Sequence, residues 1–241
     1  MAFLMIQPGC RYDVPHDFIL LRRLPYGHVE LYFAHSRAFL EQDVRTLKLS
    51  IPETLKLSVV RIAHVDLSEI DHVMDQCCKA EVHVLVIPPI VLQNRREGTA
   101  SVLLSELEEK ASRWRIIVCM EAEREPTLTE LLRLIELECP SNIQIALDMG
   151  GLGWGEDRIM DLLAEKAGWL PVLHVSNFDN RGLKGLPLFH PSGLMDYGLV
   201  IRVLKDIDYN GYLILDYAPA YRSYYVEDIT RIREYVLSPT V

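Results

Sequence analysis

The stretch 143-IQIALDMGGLGWGED-157 decides how the chain is read. An apolar run meets Asp148, and Gly150, Gly151, Gly153 and Gly155 follow almost at once. A glycine-rich turn opening a helix can cradle a nucleotide phosphate. That fingerprint, however, is G-x-G-x-x-G in a first βα turn with an acid about 20 residues on. Here the spacing differs, and the segment follows the sixth strand candidate instead of the first. The simpler reading is a strand that ends on a carboxylate, followed by a tight loop in which glycines permit close approach. Trp154 in that loop is then a wall of a substrate pocket.

On both sides of this segment short apolar runs alternate with amphipathic patterns. Strands are expected at 3–7, 28–33, 58–64, 82–88, 115–121, 143–149, 172–177 and 212–217. Several are nearly continuous hydrophobic runs, as parallel strands covered on both faces require. TLTELLRLIELEC places Leu128, Leu131, Leu132 and Ile135 on one helical stripe, with Thr127 or Thr129 as its cap. EDRIMDLLAEKAG repeats the pattern and stops at Gly168, while HDFILLRRL between the first two strands is the weakest helix. Eight βα units in 241 residues predict a single (β/α)₈ TIM barrel, an α/β fold, spanning residues 1–241. An open doubly wound sheet is the alternative, but it has no need of eight strands each trailed by a helix.

Composition narrows the function. The net charge of −9 disfavours a nucleic-acid backbone as partner. No apolar run approaches the roughly 18 residues of a membrane span, and MAFLMIQPGC lacks the basic start of a signal peptide. Five cysteines without a C-x-x-C spacing suit reduced thiols, so a cytoplasmic protein is expected. Whether subunits pair into a homo-oligomer stays open.

In a barrel the chemistry gathers where strands end. The fifth strand ends on Glu121, the sixth on Asp148, the seventh carries His174 and the eighth ends on Asp216. Three acids on one rim repel unless something positive lies between them. A divalent cation (Mn²⁺, Mg²⁺, Zn²⁺ or Co²⁺) suits carboxylates with one imidazole; helix capping or pairing with nearby arginine is the plainer account.

IIVCMEAE, IALDMGG, LHVSNFDN and LPLFHPSGLMDYGLVIRVLKDIDYNGYLILDY resemble the xylose isomerase-like TIM barrels. That superfamily includes sugar and sugar-phosphate isomerases and epimerases, hydroxypyruvate isomerase, inosose dehydratase and endonuclease IV. The resemblance implies that Glu121, Asp148, His174 and Asp216 hold one divalent metal, and that Glu121 or Asp216 carries the proton between substrate carbons. It departs from the family in three places. The last ligand is Asp216 where Glu is usual, Gly151 stands where many members carry His, and neither Glu123 nor Glu125 matches the second acid/base Glu.

His64, a residue often in contact with substrate in the family, is expected at the end of the third strand. Arg181 and Lys184 in the long loop after the seventh strand are candidates to grip a phosphate or carboxylate, with His190 displaced from the family's usual position. Glu30 reads either as a buried paired carboxylate or as a pocket residue. The expected function is a metal-dependent isomerase or epimerase of a small sugar, polyol or sugar phosphate. A barrel that has lost its chemistry and only binds is the alternative. An endonuclease-like role is weaker still, because Pro88 stands where a fourth-strand His would be needed.

Overall fold

The computed structural model describes residues 7–13, 27–43, 46, 49, 51–92 and 99–238. Its strands are β1 Gln7–Asp13, β2 Gly27–Phe33, β3 Leu55–Ile62, β4 Val84–Ile87, β5 Ile117–Ala122, β6 Ile143–Asp148, β7 Val172–Val175, β8 Asn177–Phe178, β9 Lys184–Leu186 and β10 Tyr212–Leu215. Strands β1 to β7 and β10 close into a barrel in which β10 lies between β7 and β1. Every seam is parallel. Strands β8 and β9 form a small antiparallel pair in the loop between the seventh and eighth barrel strands. The helices are α1 Ser36–Leu40, α2 Ile70–Lys79, α3 Thr99–Trp114, α4 Glu125–Glu138, α5 Met149–Leu152, α6 Glu156–Lys166, α7 Tyr197–Asp206 and α8 Tyr225–Leu237. No helix among the described residues is long and apolar enough to cross a membrane.

The TIM-barrel expectation holds, with local corrections. The first strand is 7–13, not 3–7, and residues 3–6 lie outside those described. Pro8 and Gly9, just past the expected strand, both pair in register with β10. The third strand ends at Ile62, so His64 lies beyond it. The weak helix expected at 16–24 lies outside the described residues. Helix α4 starts three residues earlier than a Thr127 cap would put it, with extended Arg124 as N-cap and proline in its first turn. Its buried stripe uses Leu134 in place of Leu132. Helix α6 stops at Lys166, and Gly168 falls inside a following 3₁₀ turn.

Two apolar layers hold the barrel together. Between strands and helices, α4 buries Leu128, Leu131, Leu134 and Ile135, and α7 buries Val200, Ile201 and Leu204. Each fully buried side chain of this kind contributes roughly 1.5–3 kcal/mol. Inside the barrel, Val59, Val84, Val86, Cys119, Ala146, Val172 and Ile214 form a separate buried cluster. Small and β-branched side chains from neighbouring strands meet there and plug the cylinder, as barrel interiors require. That plug is the floor of the candidate site.

Candidate functional site

Side chains on a strand point to the same face every second residue. Two positions beyond the floor, the same strands therefore deliver another inward layer at the C-terminal mouth. Val59 is followed by Arg61, Cys119 by Glu121, Ala146 by Asp148, Val172 by His174 and Ile214 by Asp216. Asp148 pairs in register with His174, and the amide of Asp216 donates to the carbonyl of Val175 at 3.0 Å. On the opposite wall β2 contributes Glu30 and Tyr32, and β1 contributes Arg11.

These side chains form one buried ion network. His174 is wholly buried, and its Nε2 lies 2.7 Å from Oε1 of Glu30, which is equally buried. Its Nδ1 faces Glu121 Oε1 across 3.5 Å. Arg61 grips Glu121 with two nitrogens: Nε donates to Oε2 at 3.1 Å and Nη2 contacts Oε1. Through Nη1 it also donates to Asp216 Oδ2 at 3.1 Å. Arg11 pairs with the same Asp216 oxygen while its guanidinium stacks 4.0 Å over the Tyr32 ring. A fork-shaped guanidinium suits this work because it serves two carboxylates at once in fixed geometry.

The network sets the charge states. Burial alone would raise Glu121, but His174 and Arg61 outweigh it and hold the carboxyl at about 2. Burial likewise works against Asp216, yet Arg11 and Arg61 keep it below the usual range. For His174 burial favours the neutral ring, but Glu30 and Glu121 prevail and push its pKa up to about 9. At neutral pH the site therefore holds an imidazolium between two carboxylates. Asp148 behaves differently. Burial raises its carboxyl above the ordinary value, and it has no ion-pair partner among the described residues. Its Oδ1 accepts from the Gly151 amide at 2.8 Å, capping α5.

The opening glycines acquire a physical reason here. A Cβ on Gly151 would stand 2.4 Å from Asp148 Oδ2 and 3.1 Å from the Glu123 carbonyl; one on Gly150 would meet Ser176 Oγ at 2.3 Å. Gly153, with φ +63°, ends α5 in the left-handed region. The segment is a tight turn built around a strand-end carboxylate, and the position where a histidine was looked for is filled by that carboxylate.

A cavity of about 640 Å³ opens over this layer, lined among others by Arg11, Tyr32, Asp148, Ser176, Lys184 and Asp216. Of the residues expected to contact substrate, Lys184 lines it and closes one rim by donating to the Gly151 carbonyl at 2.7 Å. The others do not. His64 is exposed in a separate pocket with His35 and Asp66, because β3 ends short of it. Trp154 is covered by the Arg158 guanidinium at 3.7 Å and packs on the core. Arg181 is exposed in the turn that Asp179 caps, with its amide donating to Asp179 at 2.9 Å. His190 stacks edge-on with Tyr221 and accepts from the Ser192 amide. Glu123 is exposed and Glu125 pairs with Arg158, so neither supplies a second acid at the mouth.

Sequence reading missed Arg61, Arg11 and Tyr32. A signal for the first existed: a charge in the apolar strand SVVRIAH, on the same face as Val59. Arg11 lies past the first strand as expected from sequence, 3–7.

The expected metal centre is not what the donors form. Among the described residues no three His, Cys, Asp or Glu side chains are grouped to hold an ion. Glu121 Oε1 and His174 Nδ1 lie 3.5 Å apart, but Arg61 already contacts that oxygen, and the two are too few donors where a catalytic site needs at least three. Asp216 is bound by two guanidiniums and Asp148 is turned to cap α5. The residues as arranged do not fit a divalent ion.

No protein-family model matches the chain, and no curated protein does. Solved structures do. A 3-keto-D-glucoside 4-epimerase from E. coli superposes with a TM-score of 0.71 at 17% identity, covering 95% of this chain and 99% of that one. A xylose isomerase domain protein from Planctomyces limnophilus gives 0.66 at 14%, covering 95% of each. A probable 3-DHS dehydratase from Bacillus anthracis gives 0.70 at 12%, covering 93% and 98%. Identities this low establish a shared fold.

Proposed function

We propose that this chain, a xylose isomerase-like TIM barrel by fold, is an isomerase of a small sugar, polyol or sugar phosphate in which Asp148 carries the proton. The observation that supports this reading is the contrast among the mouth carboxylates. Glu121 and Asp216 are held as anions by arginine, whereas Asp148 lines the cavity with a raised pKa and no ion-pair partner among the described residues. A base works best when its pKa approaches the working pH. Asp148 therefore replaces Glu121 and Asp216 as the candidate proton carrier.

The step is a proton shift. Asp148 takes a proton from the carbon beside a carbonyl and returns it to the neighbouring carbon, while a hydroxyl proton crosses to the former carbonyl oxygen. Negative charge that develops on the substrate oxygens is stabilised by Arg11 and Lys184 on the cavity wall. One carboxylate without an ion-pair partner among the described residues serves a shift between adjacent carbons. Epimerisation, which returns the proton to the opposite face, is less well served, because the other mouth carboxylates are locked. The likeness to a sugar epimerase supports a polyhydroxylated substrate, and Lys184 with Arg222 on the cavity wall supports an anionic substituent on it.

A second reading, a barrel that binds such molecules without turning them over, is favoured by the confinement of Glu121, His174 and Asp216 in the ion network. A thermal-shift panel of sugars, polyols and sugar phosphates, followed by proton NMR of the binders in D₂O, separates the two. The isomerase reading expects at least one ligand that raises the melting temperature and exchanges a carbon-bound proton with solvent. Binding without exchange supports the second reading, and a panel without binders contradicts both.

A further inference from the structure

We propose that Arg61 stands in for a divalent cation at the barrel mouth, so that the site is assembled by an internal guanidinium and excludes metal. Glu30, Glu121, Asp148 and Asp216 converge on one small volume, and a cluster of that sign collapses only around positive charge. Arg61 lies between Glu121 and Asp216. Its fork reaches Glu121 through Nε and Nη2 and Asp216 through Nη1, and Glu30 adds to the field that keeps it charged. These contacts take up the inward oxygens of two of the donors an ion would need.

The remaining geometry agrees with that substitution. Asp216 is one methylene shorter than a Glu and lies where two guanidiniums meet it, Arg61 on one side and Arg11 on the other. Arg11 is itself seated on Tyr32. Asp148 keeps one oxygen on the Gly151 amide, and the space a side chain at 151 would need is filled by its other oxygen. Several independent details therefore fit an arginine-centred mouth: a shortened acid, a glycine that admits the Asp148 rotamer, and a strand position that carries guanidinium. This guanidinium-centred assembly of the mouth does not depend on whether the cavity turns a substrate over.

The test needs no substrate. The purified chain is incubated with Mn²⁺, Mg²⁺, Zn²⁺ or Co²⁺, desalted and analysed for metal, and its melting temperature is read with and without EDTA. The wild type is expected to retain only substoichiometric metal and to ignore the chelator. The Arg61→Ala variant releases both oxygens of Glu121 beside His174, leaves Asp216 with Arg11 alone, and is expected to gain a stoichiometric ion. At a hundredfold excess of metal over its Kd the variant's melting temperature should rise by roughly 5–10 °C. Arg61→Met carries the same test if the alanine variant does not fold. A wild-type chain that holds one ion, or folded Arg61 variants that stay metal-free, would overturn the proposal.

Discussion

Asp148→Asn is expected to abolish proton exchange on any sugar the wild type acts on, lowering the rate by about 10²- to 10⁴-fold, the usual contribution of a positioned acid or base. Binding of the same ligand should change little, because the amide keeps the shape of the carboxylate on the cavity wall. The fold should also survive. Asparagine is as good an N-cap as aspartate, and the Asn oxygen can still accept from the Gly151 amide that closes α5. Burial disfavours the ionised carboxylate here, so removing its charge is expected to leave stability at neutral pH unchanged or slightly higher. The wild-type rate should rise with pH through the raised pKa of Asp148. Exchange by the variant within a few-fold of wild type would remove Asp148 from the reaction.

The second large effect is on stability. Glu30→Ala strips the buried partner from His174 Nε2 and leaves the ring with only the longer contact to Glu121. Breaking a buried pair by removing one member costs about 3–5 kcal/mol, which for a domain of this size lowers the melting temperature by roughly 6–20 °C. The pH dependence tests the same contact. In the folded chain His174 titrates at about 9, above its ordinary 6.5. Its contribution is therefore complete below pH 6.5 and is lost as pH rises through 9. A shift of that size is worth on the order of 3 kcal/mol. Glu121 acts on the acid side: held at about 2 against an ordinary 4.5, it contributes fully above pH 4.5 and is lost as pH falls through 2. Denaturation midpoints of wild type and Glu30→Ala across pH 6–10 should show an alkaline slope only in the wild type. A variant that loses less than about 1 kcal/mol and keeps the slope would show that this pair does not hold the mouth together.

How much of this was legible in the sequence depended on the range of the interaction. Short continuous apolar runs and amphipathic helices are local, and they carried the barrel. So did the strand-end positions of Glu121, Asp148, His174 and Asp216, which topology brings to one mouth. Of the substrate-facing expectations Lys184 lines the cavity, and the others lie away from it for local reasons of another kind. His64 depended on where β3 stops, and Trp154 and Arg181 on the path of loops, which strand periodicity does not encode. Glu30 was recognisable as either paired or exposed to a pocket; only its contact with His174, 144 residues away, decides for pairing. The ion that neutralises the cluster was the hardest part. Electrostatics demanded positive charge among three acids, and a cation bound from solvent and an arginine from β3 satisfy that demand equally. The choice rests on contacts spanning 60 and 155 residues, from Arg61 to Glu121 and to Asp216.

The most direct test of an arginine-centred mouth is a crystal structure of the wild-type chain grown with excess Mn²⁺, with anomalous scattering recorded to locate the metal. The account predicts Arg61 between Glu121 and Asp216, His174 against Glu30, and no anomalous peak at the mouth. A manganese peak coordinated by Glu121, Asp148, His174 and Asp216, with Arg61 swung aside, would contradict it.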